Sequence, residues 1–273
     1  MRVGTRKSKL AHEQVRMFSS RLKEEIEIVD VSTEGDTNRN ISINEFGSQG
    51  VFVNALNRKV LDGEVDCAVH SAKDLPSEIE PDLSITALFD WEHFHDIFIG
   101  VDRNDAVVGT SSPRRVSQIA YYGKKWIARD IRGNIDTRMD KVKRGEYDGI
   151  ILSEAGIRRL YPDMKFMQLP YDVFVPAPTQ GIICVVTRKD SEFRDKINKI
   201  DQNESRKRWN LERRTAITLE IGCSSSTGIF YHPLTGMLHI YHELQGNVIC
   251  RKFRAQTEQD AENAGNHIRR DST

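Results

Sequence analysis

Apolar and polar positions alternate along this chain in a pattern that can be read element by element. Met1-Arg-Val-Gly-Thr predicts a short strand, after which Ala11, Val15, Phe18 and Leu22 recur at helical spacing behind Ser8, a natural N-cap. Ile26 to Val31 predicts a strand, and Phe52, Leu56 and Val60 predict a second helix closed at Asp62-Gly63. The apolar strand Cys67-Ala-Val69 then delivers His70-Ser-Ala-Lys-Asp-Leu-Pro at its C-terminal end.

The same grammar returns further on. Val3-Gly4-Thr5 is echoed by Val108-Gly109-Thr110, and Gly63-Glu-Val-Asp66, an apolar strand and Ser71 are echoed by Gly145-Glu-Tyr-Asp148, an apolar strand and Ser153. Two similar α/β domains are expected, with a cleft between them where strand ends meet helix starts. Tyr171 to Gly181, with Pro176 and Pro178, reads as a hinge that returns the chain to the first domain through a strand at Ile182 to Val186. After Asn203 come a basic helix over about 204–220, strand candidates at 229–231, 237–243 and 248–255, and a helix to about Arg269. The expected division is therefore 1–90 with 182–199, then 94–176, then an α+β domain over 203–273.

Composition narrows the function. The 273 residues, 38% hydrophobic, can bury a sizeable core, and 40 basic against 40 acidic residues leave a net charge of zero, so no global field attracts nucleic acid. No apolar run is long enough to cross a bilayer and the first residues lack the regions of a signal peptide, which points to the cytoplasm. The four cysteines are widely separated and form no metal pattern. His93, His95 and Asp96 form an H-x-H-D string without a further histidine or cysteine to complete a metal site, and no metal is expected.

Gly109-Thr-Ser-Ser-Pro-Arg-Arg reads as an anion site: Ser112 at the N-cap, Pro113 at the first helical position, and Arg114 and Arg115 as bidentate donors. Phosphate and carboxylate fit equally, and so does an ordinary capped helix with solvated arginines. Arg6, Lys73, Arg132, Arg138, Arg158 and Arg159 also fall just beyond strand ends, which together favours a ligand with several negative groups. Asp74 sits among these cations, where Lys73 is expected to keep it ionised; it can cap a turn or stabilise a developing cation. Cys223, in a small and polar turn, is the best candidate for a reactive thiol.

Laid side by side, these segments resemble the hydroxymethylbilane synthases, also called porphobilinogen deaminases. The motifs are Gly4-Thr-Arg-Lys-Ser-Lys-Leu-Ala, Val69-His-Ser-Ala-Lys-Asp-Leu-Pro, Gly109-Thr-Ser-Ser-Pro-Arg-Arg, Arg132-Gly-Asn-Ile-Asp-Thr-Arg, Gly145-Glu-Tyr-Asp-Gly-Ile-Ile-Leu, Pro176-Ala-Pro-Thr-Gln-Gly and Leu219-Glu-Ile-Gly-Cys, in the family's order. The resemblance implies two periplasmic-binding-protein-like α/β domains around a cleft plus a small α+β domain presenting a cysteine. It implies a monomeric transferase of tetrapyrrole biosynthesis that polymerises four porphobilinogen molecules onto a dipyrromethane cofactor held by Cys223, then releases hydroxymethylbilane by hydrolysis. Asp74, Lys73 and Arg6 match catalytic positions. Cofactor contacts map to Ser71, Lys73, Asp74, Thr110, Ser111, Ser112, Arg114, Arg115, Arg132, Gly133 and Arg138, and substrate contacts to Arg6, Ser8 and Arg159.

The chain departs from the family pattern at Gln49 and Asn54, where many members carry lysines, and at Ile221 and the serines after Cys223. These departures motivate an alternative, a member that binds pyrroles without polymerising them. A non-catalytic module that closes on a small anion shares the duplicated halves but leaves the cysteine domain without a purpose.

Overall fold

A computed structural model describes residues 1–31, 48–76, 78–221 and 225–272, with the backbone alone described at 48–52. The strands are β1 (Arg2–Arg6), β2 (Glu27–Val31), β3 (Cys67–Ser71), β4 (Leu83–Phe89), β5 (Asp96–Gly100), β6 (Val107–Gly109), β7 (Ile127–Arg129), β8 (Gly149–Ser153), β9 (Met167–Gln168), β10 (Ile183–Arg188), β11 (Thr227–His232), β12 (Met237–Leu244) and β13 (Asn247–Arg254). The helices are α1 (Lys9–Leu22), α2 (Ser48–Leu61), α3 (Pro113–Tyr121), α4 (Ile135–Lys143), α5 (Glu154–Leu160), α6 (Arg194–Asn198), α7 (Asn203–Thr218) and α8 (Glu258–Ser272). No helix among the described residues is long and apolar enough to cross a membrane.

The chain divides into two compact units, 1–91 with 182–206 and 92–181 with 207–273. In the first, the sheet order is β2-β1-β3-β10-β4, with β10 antiparallel to both neighbours. In the second, the order β7-β6-β8-β5-β9 repeats that plan, with β5 as the antiparallel strand. The duplication read from the sequence is thus present in the topology.

Burial follows from strand periodicity. In β8 the side chains of Ile150 and Leu152 join one apolar cluster with Ile97 and Met139, while Ile151 joins another with Phe98 and Trp126 on the opposite face. A sheet covered on both faces needs such a continuous apolar run. The glycine of the repeated Val-Gly-Thr motif has a steric cause: a Cβ on Gly109 would lie 2.9 Å from Ile131 Cδ1, and one on Gly4 would lie 3.2 Å from Val65 Cγ2.

The rest of the second unit is the antiparallel sheet β11-β12-β13, packed with α7 and α8 around Leu211, Ile229, Tyr231, Ile240 and Ile268. The fold is therefore α/β with a small C-terminal sheet. Because β1 and β3 run parallel, as do β6, β7 and β8, the segments after them gather at one edge of each sheet.

Candidate active site

Each unit gathers part of the expected residues at that edge. In the first, Arg6 ends β1 and Ser71 ends β3, and Ala72–Asp74 form a single 3-10 turn that lifts Lys73 and Asp74 beyond the sheet. Ser8 caps α1, its hydroxyl accepting from Ala11 N at 3.2 Å. Gln14, on the inner face of that helix, donates to Ser71 Oγ at 2.8 Å and fastens the helix to the strand end.

Asp74 is half-buried. Burial raises its pKa above the ordinary carboxylate value and outweighs the opposing pull of Lys73 and Arg6. Lys73 pulls in the direction expected of it, and desolvation is the larger influence. His70 beside it is buried, shares a 3.1 Å hydrogen bond with Asn57 Oδ1, and is pushed down to about 4 by burial and by Arg6. It is neutral at pH 7 and therefore donates to that amide oxygen.

In the second unit, Thr110, Ser111 and Ser112 follow β6, and Pro113 occupies the first position of α3. Ser112 stands at the N-cap position, yet its side chain makes no capping bond; its N–H donates instead to Thr110 Oγ1 at 3.3 Å. Ser111 is committed to the neighbouring loop, donating to the Ile131 carbonyl and accepting from Ile131 N at 3.2 Å.

The largest departure concerns Arg114 and Arg115. Both are buried and bind Asp96, at 2.6 Å from Arg114 Nη1 and 2.7 Å from Arg115 Nη2. Arg114 also donates to the Val175 carbonyl and Arg115 to that of Ile151. Neither guanidinium is a solvated donor. Burial alone would raise the Asp96 pKa, but the two guanidinium charges hold it well below the usual carboxylate range.

Asp96 is thereby removed from the H-x-H-D string. His95 pairs with Glu154 at 3.0 Å instead, and among the described residues no group of three potential metal ligands forms.

The remaining cations are more open. Arg132 is exposed and lies 3.4 Å from Asp130, and half-buried Arg138 donates to the Gly133 carbonyl at 2.7 Å. Gly133 has φ of +115° and a Cβ there would meet Thr137 at 2.8 Å, so both conformation and space select glycine. Arg159 donates to the Gly181 carbonyl. Cys223 lies outside the described residues, as do Gly222 and Ser224 and the side chain of Gln49, while Asn54 is exposed on α2.

A cavity of about 800 Å³ opens in the second unit. Its walls include Thr110, Ser111, Pro113, Arg129, Ser226 and Glu243. Arg129 ends β7, packs over the Tyr147 ring at 4.1 Å, and was not singled out by its motif. Its strand-end position is the signal that could have found it. The cavity is edged by a guanidinium, hydroxyls and a helix N-terminus, with the Glu243 carboxylate also on its wall. That donor set suits the carboxylates of a dipyrromethane.

Residues 1–196 match the family model described as porphobilinogen deaminase, dipyromethane cofactor binding domain. The probable porphobilinogen deaminase of Picrophilus torridus is 41% identical over 88% of this chain and 88% of its own length. That of Ignicoccus hospitalis is 38% identical over 84% of this chain and 80% of its own. Among solved structures, an ancestral cationic amino acid solute binding protein is similar over 73% of this chain and 87% of that one, at TM-score 0.41 and 12% identity. On the family match and these identities, the chain belongs to the porphobilinogen deaminase family.

Proposed function

We infer that this protein is a hydroxymethylbilane synthase, a transferase that builds a linear tetrapyrrole from four porphobilinogen molecules on a dipyrromethane primer joined to Cys223. Besides the family match, the supporting observation is Asp74: a half-buried carboxylate at a sheet edge, beside Lys73 and Arg6 and with raised proton affinity. In each cycle the aminomethyl C–N bond of porphobilinogen breaks, ammonia leaves, and a carbon–carbon bond forms to the ring at the end of the chain, which loses a proton. Positive charge develops on the incoming pyrrole as ammonia departs. The Asp74 carboxylate stabilises that charge through the pyrrole N–H and is suited to receive the proton. Lys73 and Arg6 neutralise acetate and propionate groups, with Ser8, Ser71 and Arg159 as further polar contacts.

The bound dipyrromethane supplies the nucleophilic ring carbon on which the chain starts. In the second unit, Thr110, Arg129, Arg132, Arg138 and the amide groups at the start of α3 hold its carboxylates. Ser111, Ser112 and Gly133 shape the loops that present them, and Arg114 and Arg115 act from within, through Asp96. We take the functional division to be 1–90 with 182–199, then 94–176, then 203–273 as the cysteine domain, in a monomer working in the cytoplasm without nucleic acid, membrane or metal.

Incubation of the purified protein with porphobilinogen tests this reading. Substrate should disappear, with release of ammonia and of a linear tetrapyrrole. Binding without consumption would favour a pyrrole-binding member, and absence of both would contradict the assignment.

A further inference from the structure

The chain passes between its two compact units after Trp91, after Gly181 and after Arg206. On the side of the second unit, each crossing adjoins a member of one buried polar network. Gln180 is fully buried and donates through Nε2 to Asp96 Oδ1 at 3.0 Å and to the Phe94 carbonyl at 2.9 Å, both shortly after the first crossing. Both partners are acceptors, which fixes the orientation of the amide. The backbone carbonyl of Gln180 accepts from Arg208 Nη2 at 3.2 Å, just after the third crossing. Arg208 Nε donates to Glu212 Oε1 at 2.8 Å, and the Glu212 carboxylate accepts the backbone N–H groups of Thr179 and Tyr231. At its other end the network reaches α3, because Asp96 holds Arg114 and Arg115.

The turn at the second crossing is held from several sides. Thr179 adopts φ of +58° and Gly181 φ of +96°, and a Cβ on Gly181 would lie 2.8 Å from the His93 carbonyl oxygen. A β-branched residue keeps a left-handed conformation only where its surroundings impose it. Here the Glu212 carboxylate and the buried Gln180 side chain supply that constraint. Ordinary satisfaction of buried polar groups explains each bond singly, but not why one network adjoins all three crossings and the start of α3.

We propose that Gln180, acting with Asp96 and Glu212, is a positioning residue that fastens the second-unit ends of the three crossings to one another and to the start of α3. Its consequence for catalysis rests on the function proposed above: slackening the network slows each ring addition without weakening substrate capture.

The test compares cofactor-loaded wild-type protein with Gln180→Leu, which keeps side-chain size and loses both donated bonds, and with Gln180→Asn, a gentler change whose amide cannot reach both acceptors. Hydrogen exchange read by mass spectrometry should rise about tenfold or more in peptides covering 91–96, 176–182 and 206–212, and stay unchanged over 258–272. Turnover should fall about tenfold at a KM within about twofold, and intact mass should show incompletely elongated chains. Exchange altered only next to residue 180, unaltered, or raised everywhere including 258–272 overturns the positioning role. Altered exchange at all three crossings with wild-type turnover overturns its part in the reaction. A wild-type protein that consumes no porphobilinogen overturns the functional reading instead, and the exchange result still decides the network.

Discussion

The two units build the same sheet and then set at its edge a carboxyl whose proton affinity is shifted in opposite directions, up at Asp74 and down at Asp96. At the end of β3, Ser71 pairs with Ile183; at the equivalent end of β8, Ser153 pairs with Asp96. One position in the duplicated plan is thus apolar in the first unit and acidic in the second. Asp96 has two guanidinium groups within 2.7 Å, and they overcome its desolvation. Asp74 lies beyond its strand with Lys73 and Arg6 as weaker opposing influences, and burial prevails. The comparison separates a carboxylate whose burial is overcome by two guanidinium groups from one whose burial prevails over the cations near it.

Substituting each aspartate by asparagine should pull the two apart. Asp74→Asn should keep its cofactor, as read by intact mass, while ring addition slows about 100- to 10,000-fold in a porphobilinogen turnover assay. Its stability should be unchanged or higher, because a carboxyl with a raised folded pKa weakens the fold once ionised. Near-normal turnover would remove Asp74 from the chemistry. Asp96→Asn should instead cost about 3–5 kcal/mol in urea unfolding, since two buried guanidinium groups lose their counter-ion. Replacing Asp96, Arg114 and Arg115 together by Leu, Met and Met should recover most of that loss. A triple variant no more stable than Asp96→Asn would mean that the charges do more than satisfy one another.

The pH dependence sharpens the contrast. Asp96, with its lowered pKa, contributes stability that is present above the ordinary carboxylate range and is lost as pH falls below it. His70 acts earlier. Its folded value of about 4 means that the unfolded chain takes up the proton first, so stability should fall from pH 6.5 downwards, by roughly 3 kcal/mol at pH 4. Unfolding measured across that window with His70→Gln should show a shallower acid slope. The smallest effect is expected at the α1 cap, where Ser8→Ala should cost about 1 kcal/mol.

Much of the fold was legible because its signals are local. The helical spacing of Ala11, Val15 and Phe18, the Val-Gly-Thr repeat and the apolar runs ending at Ser71 and Ser153 each identify an element without reference to a partner. The strand-end cations were legible for the same reason, since position after a strand is a property of the chain. The destinations of Arg114 and Arg115 were not legible. Their neighbours Pro113 and Ser112 suggest an anion at a helix start, but the carboxylate they bind comes from β5 and is brought there by sheet pairing. Gln180 and Glu212 escaped notice similarly, as a buried amide and an acid on a basic helix look unremarkable until their partners are assembled. The upward shift of Asp74 was not legible, because sequence displays the neighbouring lysine and conceals the burial.

The central claim, a pyrrole primer on Cys223 serving a polymerising enzyme, is tested most directly by the intact mass of purified wild-type protein beside Cys223→Ser. The wild type should exceed its sequence mass by one dipyrromethane, and the variant should match its own sequence mass and consume no porphobilinogen. A Cys223→Ser protein that still turns over substrate would contradict the account.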